Sequence, residues 1–371
     1  MSCPCVSVAL LGVGLFSKDV YGKLILGQQG CDLRAVWSRS QHSAEEFVSG
    51  FAPAAEACFG EAGLQHILDD SSIVAVIVVL PVQVALEVVQ RCLAAGKHVM
   101  QEKPVAATSQ LAATAIAHHS ANGRSLWFFA ENYRFEGVFL AARELVASLG
   151  AVVKLDLVAD LPMDARNKYF SSGWRRDTAG CPGGFLMDSA VHSIAALRLV
   201  AGACGAGDAT SASGLTAHAA GGLSDPDSVV GVVRFGSSPG VPASVSISLA
   251  SDHVRWSLVV VGTRGTAEIS RGGWAGSRAE YALTFKRSSD PAPVVQRHPF
   301  SGMGTELAEF LRLVHVFEAG GAAAVAADDA GQRSSPREGL ADLSLMEALL
   351  NGDSGGNARL LPVQLAGVTR D

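Results

Sequence analysis

Short apolar runs alternate with helical stretches along the first 130 residues. Val6–Leu11 and Ile73–Leu80 are continuously apolar and too short for helices, which is typical of strands buried on both faces. Helical patterns follow, as in Val82–Ala95 and Ser109–Asn122. This alternation predicts βαβ units and a parallel sheet. The other elements predicted here are strands Leu33–Ser38, His98–Gln101 and Leu126–Ala130 and helices Phe16–Gln29, Ala44–Ser49 and Leu64–Asp69.

The pattern changes after Glu131. Helix Gly137–Leu149, strand Val152–Val158 and a polar loop, Leu161–Gly180, lead to a helix that ends near Gly202. Turns rich in Gly, Ser and Pro then separate segments of β pattern, which predicts an α+β domain with an open, mostly antiparallel sheet. These segments are Ser228–Phe235, Ala243–Ala250, Trp256–Gly262, Thr266–Ser270 and Tyr281–Lys286. Helices are predicted at Thr305–Glu318 and Pro336–Leu350, and Ala319–Ser335 reads as a mobile connector.

The predicted fold class is α/β, with a Rossmann-type parallel sheet followed by the α+β domain. A chain of 371 residues suggests about two or three domains. We place the first at residues 1–131 and the second at 132–371, with helix 336–350 packing back on the first domain. An open sheet leaves an apolar face, so we expect a homodimer or homotetramer through it.

Composition limits which binding partners and which cellular compartment we expect for the protein. The chain is 49% hydrophobic and 17% charged, with a formal net charge of −6 and no run of like charge, so we expect neither nucleic acid nor membrane as a partner. No apolar stretch reaches the roughly 18 residues of a membrane span. The seven cysteines are scattered and odd in number, which favours reduced thiols in the cytoplasm. No metal site is predicted, and the strand at Val6 leaves no room for a signal peptide.

A glycine-containing turn follows the first strand. Gly12-Val13-Gly14 stands between a strand and a helix, the context of a dinucleotide-binding fingerprint, and Leu15 and Phe16 continue the turn. Glycines allow backbone amides to approach a pyrophosphate at a helix N-terminus. The third glycine of the fingerprint is replaced by Ser17. The alternative is an ordinary strand-to-helix turn.

The end of the second strand bears on the choice between NAD and NADP. An acidic residue there would bind the ribose 2′-hydroxyl, but this chain has Ser38-Arg39-Ser40. A guanidinium and two hydroxyls suit a 2′-phosphate, which favours NADP and leaves NAD possible. The alternative is a solvated loop arginine.

Two further stretches carry candidate chemistry. The turn Gln101-Glu102-Lys103-Pro104 ends a parallel strand, where side chains line the ligand crevice, so Lys103 could polarise a substrate oxygen. The alternative is a surface pair of Glu102 and Lys103. Asp188 and His192 lie four residues apart on one helix face, and a carboxylate beside an imidazole suits proton transfer. The alternative is a buried structural hydrogen bond.

Together these segments resemble the Gfo/Idh/MocA family of NAD(P)-dependent oxidoreductases, the relatives of glucose-fructose oxidoreductase and inositol dehydrogenase. The similar segments are ALLGVG, AVWSRS, AGKHVMQEKPVA, ENYRF, GGFLMDSAVHSIAALRLVAG and PREGLADLSLMEALL. The resemblance implies that Lys103 lies beside the nicotinamide and that His192 is the acid/base supported by Asp188. It also implies that Arg134, Trp174 and Arg175 lie near cofactor and substrate.

The chain departs from the family pattern in two places near the implied site. Leu80-Pro81 begins a version of the turn after the fourth strand that has fewer polar contacts for the nicotinamide. Ala195 stands where many relatives have an aspartate that contacts polyol hydroxyls. We therefore expect an oxidoreductase acting on a secondary alcohol or carbonyl of a sugar, polyol, dihydrodiol or similar small molecule. A nucleotide-sensing regulator and a structural assembly protein are the alternatives.

Overall fold

The structure is a computed structural model that describes residues 5–219, 221–237, 239–273, 279–352 and 361–362. The chain divides into two compact units. The first contains the residues up to Glu131 together with Met303–Gly339, and the second contains Asn132–Gly302 and the described residues from Leu340 onward. Assigning all of 132–371 to the second domain therefore differs from the structure, which returns Met303–Gly339 to the first unit.

The first unit contains a six-stranded parallel sheet in the order β3-β2-β1-β4-β5-β6. This is the strand order of a Rossmann fold, and its topological switch point lies between β1 and β4. The strands are β1 Val6–Leu11, β2 Cys31–Ser38, β3 Glu56–Phe59, β4 Ala75–Val78, β5 His98–Glu102 and β6 Trp127–Ala130. The helices are α1 Gly22–Gly27, α2 Gln41–Phe51, α3 Gly60–Asp69, α4 Val82–Ala94 and α5 Ser109–Asn122.

Burial explains why these strands read as continuous apolar runs. All four residues of β4 and all four of β6 are buried, as expected where helices cover both faces of a parallel sheet. The parallel sheet predicted from the sequence is confirmed. The sequence analysis missed β3, which has only four residues and lies at the sheet edge.

Two more helices belong to the first unit, and they correct the predicted connector. Residues 319–335, expected to be a mobile connector, fall largely within α8, Gly302–Ala327, and α9, Asp329–Arg333. Helix α8 is interrupted at Gly321, whose φ is +67°. Phe310 of α8 meets Phe128 of β6 edge-on, with ring centroids 5.5 Å apart. Alanine-rich sequence is compatible with helix. Within the predicted connector, the Asp328 side chain caps α9 and pairs with Arg312 of α8 at 2.7 Å.

The second unit contains a nine-stranded sheet among its described residues, in the order β14-β13-β12-β11-β7-β10-β9-β8-β15. It is mostly antiparallel, as predicted, but β7 and β10 pair in parallel. Of the strands, β8, β14 and β15 were not predicted. The strands are β7 Val152–Asp160, β8 Ala209–Ala217, β9 Ser228–Phe235, β10 Val241–Ser248, β11 Arg255–Gly262, β12 Gly265–Gly272, β13 Glu280–Arg287, β14 Val294–Pro299 and β15 Leu361–Pro362.

One face of this sheet forms the core of the second unit. Along β7, Leu155, Leu157 and Ala159 are buried, whereas the intervening Asp156 and Val158 are half-buried. Helix α7, Gly184–Ala203, is almost entirely buried, and its Ser193 hydroxyl accepts a hydrogen bond of 3.0 Å from the Trp256 indole of β11. The other helices are α6 Gly137–Val146 and α10 Pro336–Leu350, whose first four residues belong to the first unit.

Among the residues that the structure describes, two helices are long and apolar enough to cross a membrane by length and composition, contrary to the expectation that no segment qualifies. They are Gly184–Ala203 and Gly302–Ala327. In the first, 89% of the apolar window is buried inside the protein, as in a core helix, whereas in the second 28% is buried. The broken second helix also carries Arg312, which pairs with Asp328 at 2.7 Å. The expectation that the protein has no membrane partner stays a prediction.

Candidate active site

The glycine turn lies at the switch point of the parallel sheet. Gly12 has a φ of +106°, and a Cβ there would lie 2.2 Å from the Val79 carbonyl oxygen at the end of β4. Only glycine fits this close approach of two strand ends. At Gly14, by contrast, a Cβ would have no atom within 4 Å, and Gly14 and Leu15 are exposed. The turn therefore leaves open space beside backbone amides, which fits a pyrophosphate cradle.

Ser17 explains how the turn manages without a third glycine. Its hydroxyl is fully buried and donates a 2.7 Å hydrogen bond to the carbonyl oxygen of Gly12. Ser17 begins a five-residue π-helical turn, Ser17–Tyr21, that runs into α1. The residue that departs from the fingerprint thus holds the glycine turn in shape.

The turn that follows β2 contains one exposed cationic residue. Ser40 caps α2 by accepting a hydrogen bond from the Ser43 amide, and the Ser38 hydroxyl accepts one from the Ser40 amide. Arg39, between them, is exposed. This turn also lies at the carboxyl edge of the sheet, one strand away from Gly12. A guanidinium held here could meet a ribose phosphate at the adenosine side of a dinucleotide.

Two more predicted residue groups lie at the ends of neighbouring strands. Leu80 and Pro81 follow β4, and Leu80 packs against the Gly12 backbone. Glu102 and Lys103 end β5, which pairs with β4, and both side chains are half-buried. Glu102 accepts hydrogen bonds from the Tyr21 hydroxyl at 2.7 Å and from the Lys103 amide at 3.1 Å. Glu102 therefore holds its turn and Tyr21 through both carboxylate oxygens, and its pairing with the Lys103 ammonium stays a hypothesis.

In the second unit, Asp188 and His192 lie on α7 as predicted. Gly183 and Gly184 begin the helix with positive φ angles, and a Cβ at Gly184 would lie 2.0 Å from the Ser224 hydroxyl oxygen. His192 is half-buried, and its ring stacks on Tyr133 at 5.1 Å between centroids. Stacking fixes the plane of an imidazole that proton transfer would use.

Asp188 has a cationic neighbour that the sequence did not reveal as its partner. Its carboxylate accepts a 2.7 Å hydrogen bond from Nε of Arg175, in the turn Trp174–Arg176. The Arg175 guanidinium lies 4.2 Å from the centre of the Trp174 ring and 5.4 Å from that of Tyr169. Arg175 thus contacts both Trp174 and Asp188, and Asp188 lies one helical turn before His192. The role of Asp188 in supporting His192 stays a prediction.

Arg134 forms a buried ion pair, and the implied place of this residue near cofactor and substrate stays a prediction. It is only 2% exposed, and its guanidinium forms two hydrogen bonds of 2.6 and 2.8 Å with Asp342 of α10. Arg198 of α7 donates a third, at 2.6 Å, to the same carboxylate. These contacts tie three segments of the second unit together, so the structure assigns Arg134 a structural ion pair.

With this geometry in place, the comparisons with known proteins are decisive for the family. A family described as "Oxidoreductase family, NAD-binding Rossmann fold" matches residues 6–129, and the "GFO/IDH/MocA C-terminal domain" matches residues 139–268. The chain belongs to the Gfo/Idh/MocA family. The resemblance inferred from its motifs is confirmed, and so is the two-part fold class.

Two relatives of this Gfo/Idh/MocA protein are named as a dehydrogenase and a reductase. Dehydrogenase FPY6 of Fusarium mangiferae is 31% identical over 207 residues, which are 54% of this chain and 59% of that protein. A dTDP-3,4-didehydro-2,6-dideoxy-alpha-D-glucose 3-reductase of Streptomyces violaceoruber is 28% identical over 64% of each chain. The chain therefore spans between half and two thirds of these relatives.

Solved structures share the fold over nearly the whole chain. An oxidoreductase from Thermotoga maritima is 22% identical, with a TM-score of 0.78 over 97% of this chain and 98% of that one. KijD10, a 3-ketoreductase from Actinomadura kijaniata solved with NADP and TDP-benzene, is 18% identical, with a TM-score of 0.72 over 94% and 98%. At these identities the likeness shows the fold alone.

Sequence reasoning missed several residues of this family member. Tyr133, which stacks on His192, lies within the similar segment ENYRF. Tyr21, which contacts Glu102, lies outside all of the similar segments and gave no signal. A group of potential metal ligands was also not predicted. It consists of Glu56, Cys58 and His66, whose ligand atoms lie within 4.8 Å of one another. Burial raises the pKa of the Cys58 thiol to about 11, so the thiolate that a metal requires is disfavoured there.

Proposed function

We propose that this protein is an NADP(H)-dependent oxidoreductase that interconverts a secondary alcohol and a carbonyl. The substrate class is a sugar, polyol, dihydrodiol or similar small molecule. Membership in an oxidoreductase family and the sugar-related reductases among the similar proteins support this reaction type. The expected place of action is the cytoplasm, in keeping with the scattered thiols.

The observation that carries the proposal is the gathering of candidate residues at one sheet edge. The turns after β1, β2, β4 and β5 hold Gly14, Arg39, Leu80 and Lys103, respectively, and these strands are consecutive neighbours in the sheet. Ligands of open α/β sheets bind outside the carboxyl ends of such strands. The turn containing Gly12 and Gly14 would hold a pyrophosphate, and the turn containing Arg39 would hold a 2′-phosphate.

Lys103 and His192 carry the proposed chemistry. When bound, the nicotinamide supplies a hydride acceptor or donor. The ammonium of Lys103 stabilises negative charge on the substrate oxygen, and the imidazole of His192 accepts the hydroxyl proton, or returns it in the reverse direction. Asp188, together with Arg175, supports the segment that presents His192.

A substrate panel monitored by NADPH absorbance tests the proposal. Sugars, polyols and dihydrodiols are supplied with NADP, and the matching carbonyls with NADPH. Turnover should fall about 100-fold or more in His192→Ala or Lys103→Ala, since acid–base catalysis contributes about 10²–10⁴-fold. Dinucleotide affinity should persist in His192→Ala. Tight NADPH binding without turnover on any substrate would instead favour a nucleotide-sensing regulator.

Arg39 provides a separate test of cofactor preference. Arg39→Ala should weaken NADP binding about tenfold or more, the loss of one hydrogen-bonded charge contact, and should leave NAD binding nearly unchanged. Arg34→Ala is a matched control, because Arg34 is an exposed arginine of β2, the strand that precedes Arg39. Its guanidinium pairs with Asp32. Equal losses for NADP and NAD in Arg39→Ala would contradict the assignment.

A further inference from the structure

The π-helical turn Ser17–Tyr21 contacts two parts of the candidate site at once. Its two buried side chains are Ser17 at its start and Tyr21 at its end, and both are fully buried. The Ser17 hydroxyl donates to the Gly12 carbonyl at 2.7 Å. The Tyr21 hydroxyl donates to Oε1 of Glu102, also at 2.7 Å. One short segment therefore holds the glycine turn and the turn that bears Lys103.

Glu102 connects Tyr21 to the lysine. While Oε1 of Glu102 accepts from Tyr21, Oε2 accepts from the Lys103 amide at 3.1 Å. With both oxygens engaged, the carboxylate fixes the backbone from which the Lys103 side chain starts. A hydrogen bond to an ionised carboxylate is about twice as strong as one between neutral groups, so this contact is suited to positioning.

The Tyr21 hydroxyl remains a donor over the whole working pH range. Burial raises its pKa well above the usual value, and the charges of Glu102 and Glu306 raise it further. Phe16 packs edge-on against the Tyr21 ring at 5.7 Å between centroids, which restricts the ring. The phenol is thus buried, protonated and restricted, in a π-helical turn of the kind that is frequent at functional sites.

We propose that Tyr21 is a positioning residue that acts through Glu102 to hold Lys103 in place, and that the turn Ser17–Tyr21 couples this lysine to the dinucleotide-binding glycine turn. The inference rests on the proposed function for the role of Lys103. We call the two hydrogen bonds of Glu102, with the Tyr21 hydroxyl and with the Lys103 amide, the clamp. The clamp lies within the first unit, and it can be measured without turnover. Nothing in the family fingerprint requires a tyrosine hydroxyl at this position.

Hydrogen–deuterium exchange measures the clamp directly. In Tyr21→Phe, which removes only the hydroxyl, peptides covering residues 101–106 should exchange about tenfold faster, because the Glu102 carboxylate loses one of its two anchors. Tyr281→Phe is the matched control: Tyr281 is a fully buried tyrosine of the second unit, and its variant should leave these peptides unchanged. Unchanged exchange in Tyr21→Phe would overturn the proposal, whether or not a substrate is found.

Kinetics then separate positioning from general stability. Tyr21→Phe should lower kcat about tenfold with a dinucleotide Kd within about twofold of wild type, whereas Ser17→Ala should mainly raise that Kd. If Tyr21 acts through Glu102, Tyr21→Phe should cost little more in a Glu102→Gln background. Fully additive losses would overturn the coupling. Failure of the wild type to turn over any substrate counts against the proposed function, while the exchange result still decides the clamp.

Discussion

Asp342 shows how much a single buried carboxylate contributes to the second unit. It is fully buried and accepts hydrogen bonds from Arg134 and Arg198, two arginines that are themselves nearly inaccessible. Removing one partner of a buried ion pair leaves an uncompensated charge, whereas surface pairs contribute little.

We predict that Asp342→Ala lowers the free energy of unfolding by about 3–5 kcal/mol. Urea denaturation at neutral pH measures the change. Asp164→Ala is the control, because Asp164 forms an exposed pair with Arg166 and its removal should leave stability within experimental error. A small effect of Asp342→Ala would show that water or neighbouring dipoles solvate the two arginines.

His98 makes the first unit sensitive to acid. Its Nδ1 accepts a hydrogen bond from the Leu126 amide at 2.9 Å, so the proton of the neutral ring lies on Nε2, 2.7 Å from Glu318. Burial lowers the pKa of His98, although Glu318 opposes the shift. A protonated Nδ1 would point its hydrogen at the Leu126 N–H.

The stability contribution of neutral His98 should therefore be complete above the unfolded pKa of about 6.5 and fall as the pH drops through that value toward the lower folded pKa. We predict that His98→Gln flattens the dependence of unfolding free energy on pH between about pH 7 and pH 5. Urea titrations at several pH values check this. Parallel curves for variant and wild type would contradict the prediction.

The sequence identified candidate site residues but not the residues that they contact in the fold. Gly12, Lys103 and His192 stand out because their spacing places them at strand ends or on one helix face. Asp342, which accepts hydrogen bonds from Arg134, lies 208 residues away, so no local pattern could reveal this ion pair. The same holds for Tyr21 and Glu102, which are separated by 81 residues.

At the scale of elements, the strand-to-helix turn after β1 offers a discriminating pair of substitutions. Gly12→Ala places a methyl 2.2 Å from the Val79 carbonyl oxygen at a φ of +106°, so it should destabilise the fold by at least about 1–3 kcal/mol. Gly14→Ala meets no atom within 4 Å, so it should leave stability unchanged.

If the turn holds a pyrophosphate, Gly14→Ala should nevertheless weaken dinucleotide binding at least about tenfold, which is 1.4 kcal/mol. Thermal unfolding and titration of NADPH fluorescence measure the two effects separately. Wild-type affinity in Gly14→Ala would place the pyrophosphate elsewhere.

Strands with continuous apolar runs were predictable, whereas strands with few buried residues, such as β3 and β14, were not. The apolar runs of β1 and β4 require burial on both faces, so their pattern admits few alternatives. Five of the six residues of β14 are exposed and His298 is half-buried, so this strand, which pairs with β13, has no buried apolar face. The stretch 319–335 is held by contacts with residues distant in sequence, such as the 2.8 Å hydrogen bond from the Phe129 amide to the Ser334 carbonyl oxygen, which composition does not show.

At the scale of the whole molecule, we propose that copies associate through the outer face of the large sheet. Leu215 and Val230 are paired across β8 and β9, and they are 58% and 59% exposed. Val232, on the same strand face, is 52% exposed. Adjacent apolar side chains of this kind are typical of interfaces.

Val230→Lys should therefore shift a dimer or tetramer toward monomer in static light scattering, because a lysine would be desolvated at the contact. Val74→Lys, at an exposed apolar position of the first unit, should not change the assembly. A wild-type protein that is monomeric at all concentrations would reject the proposed association.

Within the described residues, the chain passes between the two units three times, after Glu131, after Gly302 and after Gly339. An isolated fragment ending at Glu131 would lack Met303–Gly339, and with it the ring that covers Phe128 and the carboxylate that meets His98. The first unit is thus not formed by one continuous stretch of the chain. Shuffling a nucleotide-binding module into or out of this protein would require transplanting two separate gene segments together.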